Sequence, residues 1–149
     1  MLSQTVEYAL RAIVCLANES PNAQTNVQLA KVTKVPAAYL SKVMASLNRA
    51  GLVHSQRGPH GGFTLAKPPD ELVLLEVVNA VDPIRRIETC PLDIAGHGTR
   101  LCPLHHRMDR AISLVEEAFA NTTLAEVLAD SNGSKPLCES DNSKLYNLG

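Results

Sequence analysis

The sequence holds no tryptophan, and its two phenylalanines and three tyrosines make up only 3% of 149 residues. A core must therefore come from Leu, Val, Ala and Ile, which suits a helix-rich fold. No apolar run approaches the roughly 20 residues that span a bilayer. The opening MLSQTVEYALRAIV carries an acid and no basic stretch ahead of an apolar segment, so it does not read as a signal peptide. Both absences predict a soluble, cytoplasmic protein with no membrane partner. Also missing are a glycine-rich phosphate loop, an α/β pattern that builds a pocket, and a carboxylate pair on a distinct scaffold. No enzyme is expected. There are no repeats or low-complexity tracts.

What is present is an apolar fraction of 45%, enough for a real core in one domain or a small domain with an appended element. Charge is spread unevenly. Residues 1–67 carry Arg11, Lys31, Lys34, Lys42, Arg49, Arg57 and Lys67 against Glu7 and Glu19, a net +5, whereas residues 68–149 carry a net −6. The split predicts an anionic partner for the first half alone. Four cysteines in such a chain suggest free thiols or metal ligands before disulfides.

The periodicity predicts mainly helix with one small β-hairpin. A first helix starts after Ser3, with Val6, Leu10, Ile13, Val14 and Ala17 on one face, and stops at ESPNAQ. A short helix, VQLAKVT, has Thr25 or Asn26 as its cap. A longer one follows, with Pro36 in its first turn, a Leu40, Val43, Met44, Leu47 stripe, and Gly51 as its stop. Two helices joined by a short turn give the helix-turn-helix outline. LVHSQ and FTLA then read as strands around the turn RGPHGG. Helix, helix, helix, hairpin is the order of a winged helix-turn-helix domain, expected over residues 1–82. Residues 83–103 form a cysteine- and histidine-bearing loop. A long helix from Leu104 and a short one, TLAEVLAD, occupy 104–130, and 131–149 are a polar tail. Leu104, Met108, Ala111, Ile112, Val115 and Ala118 or Phe119 stripe the long helix. So small a domain cannot cover that stripe, and a second copy would, which makes it a dimerisation helix.

On the face of the third helix opposite its apolar stripe lie Ala38, Tyr39, Ser41, Lys42, Ala45 and Arg49. Small residues permit close approach to a groove floor, while Ser, Tyr and Lys reach base edges or phosphates. Arg57, Gly58 and His60 sit on the hairpin tip, where Arg57 is placed to enter a minor groove. The expected partner is double-stranded DNA, read as a palindrome by a homodimer. A purely structural or protein-interaction dimer is the alternative, and it leaves the glycine-rich wing and its arginine unexplained.

YLSKVMASLNRAGLV followed by HSQRGPHGGFTLAKP, with VEYALRAIVCLA near the start and LCPLHH near residue 102, closely resembles the winged-helix regulators of the Rrf type. The likeness runs over about residues 1–120, and the glycine-rich wing is its most specific part. It implies a dimeric bacterial transcription factor, here a repressor, and an iron–sulfur cluster near the wing and dimer helix, as many members carry.

That resemblance bears on CPLDIAGHGTRLCPLHH, residues 90–106, which holds two cysteines and three histidines. Cluster-bearing members have three cysteines spaced six apart, and in some a histidine three residues after the last. Cys90 and Cys102 match the outer two and His105 the histidine, but Gly96 stands at the middle position. The resemblance thus implies a 2Fe–2S cluster on Cys90, Cys102 and His105, with a fourth ligand from Glu7 of a second subunit, His97 or His106. Such a cluster would switch DNA affinity in response to redox state, nitric oxide or iron–sulfur supply. A thiol switch or small ligand without a cluster, and a zinc site, stay open. Cys15 reads as a core thiol and Cys138 as incidental to the tail.

Overall fold

The structure is a computed structural model and describes residues 2–94, 96 and 100–130. Its order is α1 (Gln4–Glu19), α2 (Asn26–Thr33), α3 (Ala37–Arg49), β1 (Val53–Gln56), β2 (Gly62–Leu65), α4 (Leu74–Val81), α5 (Pro103–Ala120) and α6 (Leu124–Ala129). This is the winged helix-turn-helix with an appended long helix that the periodicity predicts. No helix among the described residues is long and apolar enough to cross a membrane.

Helices α1, α2 and α6 begin where a side chain satisfies an unpaired amide. Ser3 accepts from Val6 N–H at the start of α1. Between the two candidate caps of α2, the structure uses Thr25, in a reciprocal box with Gln28. Pro36 occupies the cap of α3, one position ahead of the expected first turn, because its ring suits the extended backbone there. Gly51 follows α3 with φ +75°, the left-handed step that ends the helix.

The core sits around α1. Ile13 and Leu16 meet Leu29 of α2, the stripe Leu40, Val43, Met44 and Leu47 of α3, and Leu72, Val77 and Leu124 from the second half. Burial of each such side chain contributes about 1.5–3 kcal/mol. On α1 the inner face is wider than the expected stripe: Ala9, Ala12, Cys15 and Leu16 are buried, while Leu10 and Ala17 are only half-buried. Cys15 is a core thiol, as expected, at 2% exposure.

The hairpin pairs antiparallel from Val53 opposite Leu65 to Gln56 opposite Gly62. A further bridge joins Gln24 to Phe63, with Gln24 N–H on Phe63 O at 3.0 Å and Phe63 N–H on Gln24 O at 2.8 Å. The wing is thereby stitched to the residue just ahead of α2. At the other end, Leu74 N–H reaches Thr122 O at 2.9 Å and Leu124 N–H reaches Leu72 O at 2.8 Å, so the far end of α5 is tied back to the domain. No residue of α5 is buried, and Leu104, Met108 and Leu114 are 64%, 46% and 51% exposed.

Candidate nucleic-acid interface and cysteine loop

The turn between α2 and α3 is made by Lys34, in the left-handed region at φ 58°, and by Val35, whose buried side chain anchors it. Asn26, in the first turn of α2, donates to Ala37 O at 3.3 Å and to the Ser41 hydroxyl, tying the start of α2 to the start of α3. Ser41 also donates to Ala37 O at 3.1 Å. The structure leaves Ala38, Tyr39, Ser41, Lys42, Ala45 and Arg49 exposed on the side of α3 away from its buried stripe. Arg49 is drawn along its own helix by a 3.2 Å hydrogen bond to Ser46 Oγ.

Tyr39 is placed differently from its neighbours. Its hydroxyl shares a hydrogen bond with Thr5 Oγ1 of α1, and its ring meets Tyr8 edge-on at 5.4 Å between centroids. It is 37% exposed, yet its hydroxyl is engaged by α1.

The wing tip owes its shape to its glycines. Gly58 has φ +107° and Gly62 φ +138°, backbone regions costly to side-chain-bearing residues. At Gly62 a Cβ would lie 2.6 Å from the Gln24 carbonyl, so glycine permits the stitch between wing and α2. Arg57, Gly58 and His60 are all exposed at the tip. The sequence shows the glycines but not Gln24, because a single bridge leaves no periodic trace.

The second region is the approach to α5. Cys102 caps α5, and its Sγ lies 3.2 Å from His105 Nδ1. Cys90 opens a turn in which Asp93 N–H donates to Cys90 O at 3.1 Å. Asp109 pins the segment before it: Arg86 Nε and Nη2 donate to its two oxygens at 2.8 and 2.7 Å, and Ile87 N–H donates at 2.9 Å. The Arg86 fork, then the Ile87 amide, hold the Asp109 carboxyl down at about 2. Neither Arg86 nor Asp109 stands out in the sequence.

Of the expected ligands, the structure brings Cys102 and His105 together. Glu7, expected to act from a second subunit, is paired with Arg11 Nε at 3.1 Å on α1. His106 is exposed beside Arg107 and Arg110 in a groove floored by Leu101, Ala111 and Leu114. His97, Cys138 and the tail 131–149 lie outside the described residues. Among the described residues no three or more of His, Cys, Asp and Glu form a group able to hold a metal ion. A cluster needs about four donors. Cys102 and His105 would supply two such donors, and among the described residues no group of three or more joins them.

The family model described as "Iron-dependent Transcriptional regulator", Rrf2, matches residues 2–130. The chain belongs to the Rrf2 family. Its curated relatives include an HTH-type transcriptional regulator of Aquifex aeolicus, 32% identical over 131 residues, which are 86% of this chain and 91% of that protein. Among solved structures, T. potens IscR aligns with a TM-score of 0.73 at 22% identity, covering 89% of this chain and 88% of that one. CymR, the global cysteine regulator of B. subtilis, aligns at 0.70 and 23%, covering 85% and 95%. Staphylococcus aureus CymR aligns at 0.68 and 25%, covering 89% and 100%. This Rrf2 chain is a DNA-binding transcriptional regulator and not an enzyme.

Proposed function

We propose that the protein works in the cytoplasm as a homodimeric repressor that reads a palindromic operator. The supporting observation is the stitch between Gln24 and Phe63, which fixes the wing against the helix-turn-helix. One rigid unit then offers α3 to a major groove through Ala38, Ser41, Lys42 and Arg49, and the tip of Arg57, Gly58 and His60 to the adjacent minor groove. The uncovered outer side of α5 is where a second copy docks, which sets the spacing of the two α3 helices. Selection of DNA from a random pool, followed by titration of affinity against salt, tests this reading. A two-fold symmetric site whose binding weakens steeply with salt is expected. Binding without sequence preference would refute it.

The regulatory element is the segment from Cys90 to His105. Its iron–sulfur form is a labile 2Fe–2S cluster on Cys90, Cys102 and His105, completed by Glu7 of a second subunit. The iron-dependent character of the family supports that form. Thiol chemistry at the same cysteines is the second reading, favoured by the 3.2 Å contact of Cys102 Sγ with His105 and by likeness to a cysteine regulator. Anaerobic purification with iron and acid-labile sulfide assays separates them. Equal iron and sulfide, with colour lost in Cys90→Ala and Cys102→Ala, supports the cluster. A colourless protein whose DNA affinity still responds to oxidation supports the thiol switch.

A further inference from the structure

Along one side of α1 runs a chain of contacts at the edge of the core, against which Tyr8 packs. Thr5, Tyr8 and Arg11 follow one another at intervals of three, so they line one strip of the helix. Arg11 Nη1 donates to Thr33 O at 3.2 Å, satisfying a carbonyl at the last residue of α2 where the helix leaves such acceptors unpaired. The same guanidinium carbon lies 5.5 Å from the centre of the Tyr8 ring. Tyr8 in turn meets Tyr39 edge-on, and Thr5 holds the Tyr39 hydroxyl. Thr33 ends α2 and Tyr39 is the third residue of α3, so the strip grips both sides of the helix-turn-helix turn.

We propose that Tyr39 is a positioning residue for sequence reading, held by Tyr8, Thr5 and Arg11, and not itself a reader of bases. The apolar stripe of α3 fixes how deeply that helix is buried. It fixes less firmly the rotation of the first turn, because Leu40 is the earliest of its residues. Tyr39 supplies that second constraint at the end of α3 that carries Ala38, Ser41 and Lys42. A small roll there moves every one of those side chains against the groove. Loss of Tyr39's hold therefore weakens recognition of all base pairs in a half-site together. This proposal rests on the reading of α3 as the recognition helix.

The experiment uses the full-length protein, the DNA it selects from a random pool, and a scrambled duplex. Tyr39→Phe removes one oxygen, Tyr8→Leu removes a ring from α1, and the double variant joins them. Circular dichroism and thermal melting establish that each folds. Each single variant should lose about tenfold in affinity for the selected site, the scale of one hydrogen bond or ring interaction. The loss should be spread evenly over single base-pair changes in the site. Affinity for scrambled DNA and the salt slope should not move. The double variant should lose less than the product of the two single losses. Relaxed preference at one base pair alone in Tyr39→Phe would make Tyr39 a base reader and overturn the proposal. Full affinity in Tyr8→Leu would overturn it too. A wild-type protein that selects no sequence would refute the recognition-helix reading and this proposal with it, whereas the variant results bear on the proposal alone.

Discussion

Asp109 receives three hydrogen bonds from a segment that ends 22 positions before it, two from the Arg86 guanidinium and one from the Ile87 amide. Cys90 lies three residues beyond Ile87, and His105 lies one turn ahead of Asp109 on the same face of α5. One carboxylate thus fixes the stretch leading into the cysteine loop against the helix that carries the loop's other end.

Acid should release that clamp. The folded carboxyl of Asp109 titrates at about 2, below the roughly 3.9 of an unfolded aspartate. Its contribution is complete above the unfolded value and is lost as pH falls through the folded one. Between about pH 4 and 2, the thermal midpoint of the wild type should therefore drop more steeply than that of Asp109→Asn. Parallel curves would show that the clamp does not contribute to stability.

Two glycines of the wing should respond unequally to alanine. At Gly62 the added methyl meets the Gln24 backbone and the φ of +138° is strained, so Gly62→Ala should destabilise by about 1–3 kcal/mol and weaken DNA binding as the stitch opens. Gly58 has open space around it, and only its φ of +107° resists, so about 1 kcal/mol is expected. Urea melts of the two variants, read beside their DNA affinities, give the comparison.

The outer side of α5 should control assembly without controlling the fold. Leu114 is half exposed and no residue of α5 is buried, so Leu114→Glu removes nothing from the core of one subunit. Sedimentation should show the variant near the 16.0 kDa of a single chain, with an unchanged circular dichroism spectrum. Loss of helix in place of loss of the dimer would count against this assignment.

Lys42 and Arg57 should differ from Tyr39 in salt dependence. Replacing either cation by alanine should flatten the plot of log affinity against log salt by about one unit for each phosphate that the side chain neutralises. Tyr39→Phe should leave that slope alone. Binding titrations between 50 and 200 mM salt (about the range in which such slopes are read) resolve the two behaviours.

Much of the domain was legible because its information is local. The stripe Leu40, Val43, Met44, Leu47 repeats with the helical period, Thr25 and Ser3 sit one step before the helices they cap, and the glycines of the wing mark a turn whatever lies around it. The stripe of α5 is legible in the same way, because Met108, Ile112, Val115 and Phe119 recur with the helical period. Tertiary structure alone decided the rest. Gln24 bridging Phe63, Asp109 clamping Arg86, and Thr5 and Tyr8 engaging Tyr39 each join residues 23 to 39 positions apart through one or two contacts. Such contacts have no period, and either residue taken alone reads as ordinary surface. For the same reason Tyr39 looked like any exposed side chain of the recognition face until the fold set Thr5 and Tyr8 beside it. The sequence by itself determined which helices form and which faces they bury; how those helices are rolled and pinned against one another was decided by long-range pairings that only the folded chain brings within bonding distance.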